Sequence, residues 1–132
     1  MRRSGLLHAE LNRVIAAMGH NDMLVIADVG LPVPPGVPCI DLALSRGVPS
    51  FAQVFEAIWG ELAVEGVTFA EEIHGRNDAM VMLGKRLTSE GMAVSEISHA
   101  LFKQQCAHAC VIVRTGEHSP YANVILHAGV TF

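Results

Sequence analysis

The fold class follows from Met23-Leu24-Val25-Ile26-Ala27-Asp28, in which an uninterrupted apolar run leads directly into a single carboxylate. A short, wholly apolar run is typical of a strand that is buried on both faces of a parallel sheet. It predicts a strand over residues 23–28. The next segment, residues 30–38, contains four prolines. These exclude a helix and predict an extended, ordered loop directly after the strand.

Helical and strand patterns alternate outward from this strand. Apolar side chains recur at helical spacing in the segment before it, and Ser50, Asn77 and Ser98 are helix-capping residues. The predicted helices cover residues 8–18, 51–62, 77–89 and 99–106. Apolar runs predict further strands over residues 39–44, 64–73, 92–97, 109–114 and 123–127. This alternation predicts one α/β domain over residues 1–132, with three α/β/α layers and a mostly parallel sheet of about six strands.

The composition indicates self-association. Of the 132 residues, 51% are hydrophobic and 17% are charged, whereas about a quarter of a soluble domain is usually charged. We therefore expect copies of the chain to cover part of its surface. The apolar ending, Ala128-Gly129-Val130-Thr131-Phe132, supports this expectation. We expect Phe132 to dock in a core or an interface, with its carboxylate near a site.

Several classes of function are disfavoured by charge and by missing motifs. The net charge is −4, and no basic cluster exists beyond Arg2-Arg3, so we expect no nucleic-acid partner. No apolar run reaches the roughly 18 residues of a membrane helix, so no membrane insertion is expected. No signal peptide is visible after the two arginines. No glycine-rich nucleotide loop occurs, and the seven histidines lack metal-type spacing. We expect neither a metal nor another cofactor.

The cysteines point to a cytoplasmic protein. Cys39, Cys106 and Cys110 are odd in number and lack the paired spacing of a zinc site. Reduced thiols in a reducing compartment are the simplest interpretation.

Polar candidates stand near the predicted strand ends, where ligands bind in α/β sheets. Asp28 would accept two hydrogen bonds from sugar hydroxyls, or it would bond only its own backbone in a turn.

Tyr121 and Asn123 flank Ala122 before the last strand. In an extended chain both side chains point the same way, so both would address one polar ligand. The alternative is a Ser-Pro-Tyr turn with a capping asparagine.

His20 is the candidate for proton transfer, since histidine both gives and takes a proton near neutrality. Asp22, two residues later, would orient or charge it. The alternative is an ordinary histidine on a surface loop. His99, at the start of a short predicted helix, is a weaker candidate for a side chain that addresses a polar ligand.

A set of motifs, in this order, carries a family resemblance: Gly19-His20-Asn21-Asp22, Val25-Ile26-Ala27-Asp28-Val29-Gly30-Leu31-Pro32, Ile40-Asp41-Leu42-Ala43-Leu44, Gly47-Val48-Pro49-Ser50-Phe51, Phe102-Lys103, Arg114-Thr115-Gly116-Glu117, Ser119-Pro120-Tyr121-Ala122-Asn123 and Ala128-Gly129-Val130-Thr131-Phe132. Across essentially the whole chain they resemble the D-ribose pyranase family. The related L-fucose mutarotases carry a similar Gly-His-x-Asp segment.

The resemblance implies a cofactor-free, cytoplasmic isomerase of ribose catabolism. It would interconvert β-D-ribopyranose and β-D-ribofuranose beside ribose uptake and ribokinase. The resemblance makes His20 the general acid. It makes Asp28, His99 and the segment Tyr121-Ala122-Asn123 the sugar-binding residues. It also implies a homodecamer of two stacked pentameric rings.

The spacing adds a geometric expectation. His20 precedes the first strand and Asp28 ends it, which places them on the order of 20 Å apart, about three times the width of a ribose ring. The spacing therefore predicts a site shared between subunits, with His20 from one subunit and Asp28 and Tyr121 from a neighbour, or the reverse. Other interpretations remain open: an L-fucose-type mutarotase, a non-catalytic sugar-binding or transporter-associated subunit, or a scaffold without a ligand.

Overall fold

Strands and helices alternate through the computed structural model, which describes residues 1–132. The strands are β1 (Met23–Ala27), β2 (Cys39–Asp41), β3 (Val64–Ala70), β4 (Ala93–Ile97), β5 (Val111–Arg114) and β6 (Val124–Ala128). The helices are α1 (Ala9–Ala17), α2 (Phe51–Trp59), α3 (Asp78–Ser89) and α4 (His99–Cys106), and a 3₁₀ turn covers Glu71–Ile73.

Every predicted element exists, and the differences lie at element ends. The second strand stops at Asp41 instead of residue 44, because the Asp41 carboxylate accepts the Ala43 N–H at 3.0 Å and bends the chain. The strand predicted over residues 64–73 ends at Ala70, where the 3₁₀ turn begins. The second helix begins with the predicted capping box at Ser50 but ends at Trp59, next to its cap Gly60.

All six strands form one sheet in the order β2-β5-β1-β6-β3-β4. The pairs β1–β5, β2–β5 and β3–β4 are parallel, whereas β6 is antiparallel to both β1 and β3. The prediction of a mostly parallel sheet of about six strands is therefore confirmed, with β6 as the single reversed strand. Within β1, residues 24–27 are all buried, as the apolar run predicts.

Helices cover both faces of the sheet unequally. On one face, α1, α2 and α3 pack against the strands around a core of 22 buried residues that includes Leu24, Ile26 and Phe55. On the other face, α4 and the proline-containing loop cover a smaller core of nine buried residues around Phe102. The three predicted layers are present. The layer formed by α4 and the proline-containing loop is the smaller one, and polar side chains lie beside it at one end of the sheet.

The direction of the strands places the candidate residues. The five parallel strands end at one edge of the sheet, called here the carboxyl edge, where Asp28 follows β1 and Asn123 precedes β6. The opposite, amino edge carries the loop of residues 19–22 and the end of β6. Asn21 N–H donates to the Ala128 carbonyl at 2.9 Å there.

The last residues of the chain are exposed in the protomer. Ala128 is buried in the larger core, whereas Val130 is half-exposed and Phe132 is fully exposed. Of the two places expected for Phe132, the protomer's own core is therefore excluded and an interface remains. The tail leaves the sheet at Gly129, whose N–H donates to the Ala63 carbonyl at 2.9 Å. None of the helices has both the length and the apolar character that a bilayer crossing requires.

The loop after β5 requires a glycine. Gly116 N–H donates to the Pro49 carbonyl at 2.8 Å, and Gly47 N–H donates to the Gly116 carbonyl at 2.6 Å. A Cβ atom on residue 116 would lie 2.6 Å from the Ser45 carbonyl oxygen and from the Val48 nitrogen. Because these are backbone atoms, they have little freedom to move away.

The substitution Gly116→Ala is therefore expected to lower the free energy of unfolding by about 1–3 kcal/mol, the usual effect of overpacking. Urea denaturation measures the difference. Gly60→Ala is the matched control, because residue 60 has helical backbone angles and only ordinary contacts around a new Cβ. Equal stability of the two variants would contradict the packing argument.

Candidate functional site

A cleft of about 440 Å³ opens at the carboxyl edge of the sheet. It contains four of the residues that the resemblance implies for sugar binding, and its lining consists of Asp28, Gly30, Leu31, Pro32, Arg76, His99, Lys103, Pro120, Tyr121 and Asn123. Four separate parts of the chain thus converge here: the end of β1 with its loop, the turn before α3 that carries Arg76, helix α4, and the segment before β6.

Asp28 and Asn123 form a reciprocal pair at the base of the cleft. Asn123 Nδ2 donates to Asp28 Oδ2 at 3.0 Å, and Asp28 N–H donates to Asn123 Oδ1 at 2.8 Å. Asp28 Oδ1 accepts the N–H groups of Gly30 and Leu31 at 3.0 and 2.9 Å, which is the predicted turn. A carboxylate has about four acceptor positions. Three are occupied within the chain, so about one sugar hydroxyl fits, not the two we expected.

Tyr121 lies on the cleft wall in an unusual backbone conformation. Its φ is +57°, and Asn123 N–H donates back to the Tyr121 carbonyl at 2.9 Å. The expectation of an extended Tyr-Ala-Asn segment is therefore wrong, because the chain turns sharply here. Tyr121 and Asn123 still line the same cleft. Ala122 does not: its methyl group is buried in the larger core, which leaves only its backbone for a ligand.

Two further side chains fix the loop that carries Tyr121. Asn77, the cap of α3, donates to the Pro120 carbonyl at 2.7 Å and to Ser119 Oγ at 3.1 Å. Glu117 accepts the N–H groups of Phe51 and Ser119. Burial alone would raise the pKa of Glu117, but these backbone donors hold it below its ordinary value.

His99 is held from both its backbone and its ring. Its N–H donates to both carboxylate oxygens of Glu72, at 3.0 and 2.8 Å, and this bond lowers the pKa of Glu72. The ring meets Tyr121 edge-on, with 5.1 Å between centroids, and stacks against Phe102 at 6.2 Å. Its Nδ1 atom is buried without a hydrogen-bond partner in the chain. Buried polar atoms without partners are rare in proteins, and this one belongs to a residue that lines the cleft.

The sequence prediction missed two cations in the cleft. Arg76 and Lys103 line it, and neither forms an ion pair. Their N–H groups are suitable donors to sugar oxygens. Lys103 stands within one of the resemblance motifs, which was a usable signal. Arg76 stands in no motif, and only the fold brings it to the cleft.

His20 lies at the amino edge, away from the cleft. It is half-exposed, and its Nε2–H donates to Glu65 Oε2 at 2.9 Å. Asp22 forms no hydrogen bond or ion pair with the ring; its carboxylate accepts the Gly19 N–H at 2.8 Å and closes the turn. The carboxylate partner of His20 is therefore Glu65, which the sequence prediction missed. β1 runs from the loop of His20 to Asp28, so the two residues lie at opposite edges of the sheet, as the spacing predicted.

The remaining reactive side chains form no second centre. All three cysteines are free, and burial raises the pKa of Cys106 to about 11. Burial, assisted by nearby Asp22, also raises the pKa of Cys110. No group of three or more His, Cys, Asp or Glu side chains is arranged to hold a metal ion.

Comparisons with known proteins cover the chain from end to end. The profile of the RbsD / FucU transport protein family matches residues 1–131. The D-ribose pyranases of Chromobacterium violaceum and Symbiobacterium thermophilum are 46% and 50% identical over 132 residues, with both chains fully covered.

The structure of Bacillus subtilis RbsD complexed with D-ribose superposes with a TM-score of 0.94, at 43% identity and full coverage of both chains. The fucose mutarotase of Streptococcus pneumoniae in complex with L-fucose has the same fold, with a TM-score of 0.79 at 22% identity over 99% of this chain and 100% of that one.

The reciprocal pair at the base of the cleft yields a stability prediction. Asn123→Asp removes the Nδ2–H donor and places a second carboxylate against Asp28. The free energy of unfolding at neutral pH is expected to fall by about 1–3 kcal/mol, as measured by urea denaturation. Asn21→Asp is the control: residue 21 is exposed, its side chain makes no hydrogen bond, and aspartate tolerates its left-handed backbone. A loss of the same size in both variants would argue against the pair.

Proposed function

Because the chain belongs to the RbsD / FucU transport protein family, we propose that it interconverts β-D-ribopyranose and β-D-ribofuranose by opening and reclosing the sugar ring. The observation that carries the proposal is the full-length superposition on a ribose-bound relative that is 43% identical. The D-ribose pyranases that cover the entire chain support the same sugar. The L-fucose complex is 22% identical and shows the fold alone, so ribose is the preferred substrate over L-fucose.

The reaction requires only proton transfers. Opening moves a proton from an acid to the ring oxygen as its bond to the anomeric carbon breaks, while the anomeric hydroxyl loses its proton to water. Reclosure adds a different hydroxyl to the carbonyl, returns that hydroxyl's proton to the acid's conjugate base, and takes a proton from water. His20 is the proposed acid. One positioned histidine contributes roughly 10²–10⁴-fold, which suffices for a reaction that also proceeds in water.

The cleft residues bind and orient the sugar in this proposal. Asp28 accepts one hydroxyl, and the His99 and Tyr121 rings form one wall with polar atoms directed to hydroxyl groups. Asn123 is almost completely buried and already bonded to Asp28, so its main task is to orient that carboxylate. Ala122 contributes through its backbone alone. Such positioning selects which hydroxyl closes the ring.

The separation of His20 from the cleft supports a site shared between protomers. One chain cannot bring both groups to one sugar, so a neighbour's amino edge is proposed to meet the carboxyl edge of each protomer. The oligomer that we propose is a homodecamer of two stacked pentameric rings. It would cover a set of exposed apolar side chains: Val29, Leu44, Val48, Val130 and Phe132. Phe132 then docks in an interface and not in its own core.

The cellular setting follows from the thiols and the substrate. Cys39 and Cys110 are exposed and unpaired, which is typical of a reducing compartment. We place the protein in the cytoplasm, as a single domain over residues 1–132 that acts in ribose catabolism.

His20→Ala is expected to bring pyranose–furanose exchange of D-ribose down to the rate in buffer, as measured by saturation-transfer NMR. The oligomer is expected to persist, because within its own protomer the His20 side chain forms a hydrogen bond only with the exposed Glu65. His108→Ala is the matched control, since His108 is exposed and its side chain makes no hydrogen bond. L-Fucose in place of ribose tests the sugar preference. Accelerated ribose exchange by His20→Ala would contradict the proposal.

Subunit mixing tests the shared site. His20→Ala and Asp28→Asn are each expected to be inactive alone, whereas oligomers reassembled from an equal mixture regain about a quarter of wild-type activity, because random neighbours restore intact sites at that frequency. Each variant, unfolded and refolded separately, serves as the control. A mixture that exchanges subunits yet stays inactive, or a fully active monomer, would show that the site is not shared.

A further inference from the structure

Glu65 occupies a β-bulge beside His20. On β6, the consecutive residues Ala128 and His127 pair with Val64 and Gly66 of β3, so Glu65 between them has no partner on β6. Such an extra residue bends the strand and re-aims its side chain. Here the bulge turns the carboxylate toward the amino edge, where Oε2 lies 2.9 Å from His20 Nε2.

The last glycine of the chain packs directly against the bulge. A Cβ atom on Gly129 would lie 3.1 Å from the Cβ and 3.4 Å from the nitrogen of Glu65. Any side chain at position 129 would therefore press on Glu65 and displace it by a few tenths of an ångström. The close approach keeps the Glu65 backbone in one place.

Backbone bonds fix the loop of His20 but not its ring. Ala128 accepts the Asn21 N–H at 2.9 Å and donates to the Asp22 carbonyl at 2.8 Å, which ties the loop to the end of β6. The imidazole itself has a single hydrogen bond, to Glu65. The orientation of the ring, and the nitrogen that faces outward, thus depend on this one contact.

His127, the other histidine near Glu65, does not carry a positive charge that would neutralise the Glu65 carboxylate. Burial lowers the pKa of His127, although Glu65 acts in the opposite direction, so His127 is neutral at neutral pH. Its Nε2 lies 2.9 Å from Thr68 Oγ1, which in turn contacts Ser95 Oγ at 3.0 Å. Among the hydrogen bonds and ion pairs of the chain, Glu65 bonds only His20.

We propose that Glu65 is a positioning residue for His20. Its carboxylate accepts the Nε2–H and holds the imidazole so that Nδ1 is the atom that exchanges a proton with the sugar. In ring opening, Nδ1–H gives its proton to the ring oxygen; in reclosure, Nδ1 accepts the proton of the attacking hydroxyl. This inference rests on the proposed function, in which His20 is the acid.

The test combines kinetics with the tautomer of His20. Two-bond ¹H–¹⁵N correlation spectra of the full-length, histidine-labelled protein report which ring nitrogen carries the proton, and His20→Ala assigns the signal. We expect wild-type neutral His20 to be protonated at Nε2. Glu65→Ala is expected to give mixed tautomers and about a tenfold lower kcat for ribose exchange, a part of the general-acid contribution. The KM for ribose is expected to stay unchanged, because the sugar-binding residues lie at the other sheet edge.

Two more variants separate positioning from structure. Glu65→Gln keeps a neutral acceptor and is expected to restore the Nε2–H tautomer and most of kcat. Gly129→Ala displaces the carboxylate without removing it and is expected to lower kcat by a smaller factor. Glu96→Ala is the matched control, because Glu96 forms a similarly exposed pair with His74 at 2.8 Å outside the cleft.

The outcomes are distinguishable. Wild-type kcat and tautomer in Glu65→Ala, with an inactive His20→Ala, would overturn this inference and leave the proposed function intact. Accelerated exchange by His20→Ala would overturn both. If Glu65→Ala and Glu65→Gln lose the oligomer together, or if Glu96→Ala lowers kcat equally, the role of Glu65 is structural and the inference fails.

Discussion

Both halves of the candidate site depend on the direction of one strand, β6. Because β6 runs antiparallel between β1 and β3, its first residues meet the end of β1 and its last residues meet the start of β1. Asn123 can therefore hold Asp28 at the carboxyl edge, while Ala128 anchors the His20 loop at the amino edge. A parallel strand in this position would join neither pair. The reversed strand thus supplies the backbone support for Asp28 and Asn123, the proposed sugar-binding side chains, and for His20, the proposed acid.

In the proposed function, this arrangement couples assembly to chemistry. The proposed sugar-binding groups are fixed at one edge by bonds within the protomer, and the imidazole of the proposed acid is held at the other edge by a bond to Glu65. If the site is shared as proposed, neither set needs to move for it to form, because contact between neighbours would complete it. Association of protomers would then also stabilise the folded protomer by mass action.

The sequence predicts the elements of this fold better than their directions. The apolar run of β1 and the caps at Ser50 and Asn77 locate strand and helices, because burial and capping leave local signals. Apolar patterning carries no strand direction, so the reversal of β6 is invisible in it. Four cleft residues, Asp28, His99, Tyr121 and Asn123, were predicted from position and resemblance. Arg76 reaches the cleft only through the fold, and Glu65 depends on a bulge that arises only from cross-strand pairing. The turn at Tyr121 was one of the two interpretations of the Ser-Pro-Tyr segment, and its positive φ, which tyrosine rarely adopts, is visible only in the structure.

The exposed tail has a practical consequence for anyone who handles this protein. Phe132 lies only three residues beyond Gly129, which packs on the bulge that holds Glu65. An affinity tag fused to that terminus would follow directly on the segment that packs against Glu65, the hydrogen-bond partner of His20. It would also occupy the surface that is proposed to meet a neighbour. Met1 is also fully exposed, and the segment that follows it is held by Glu61, which accepts the Leu6 N–H at 3.1 Å. Purification handles and fluorescent fusions therefore belong at the amino terminus.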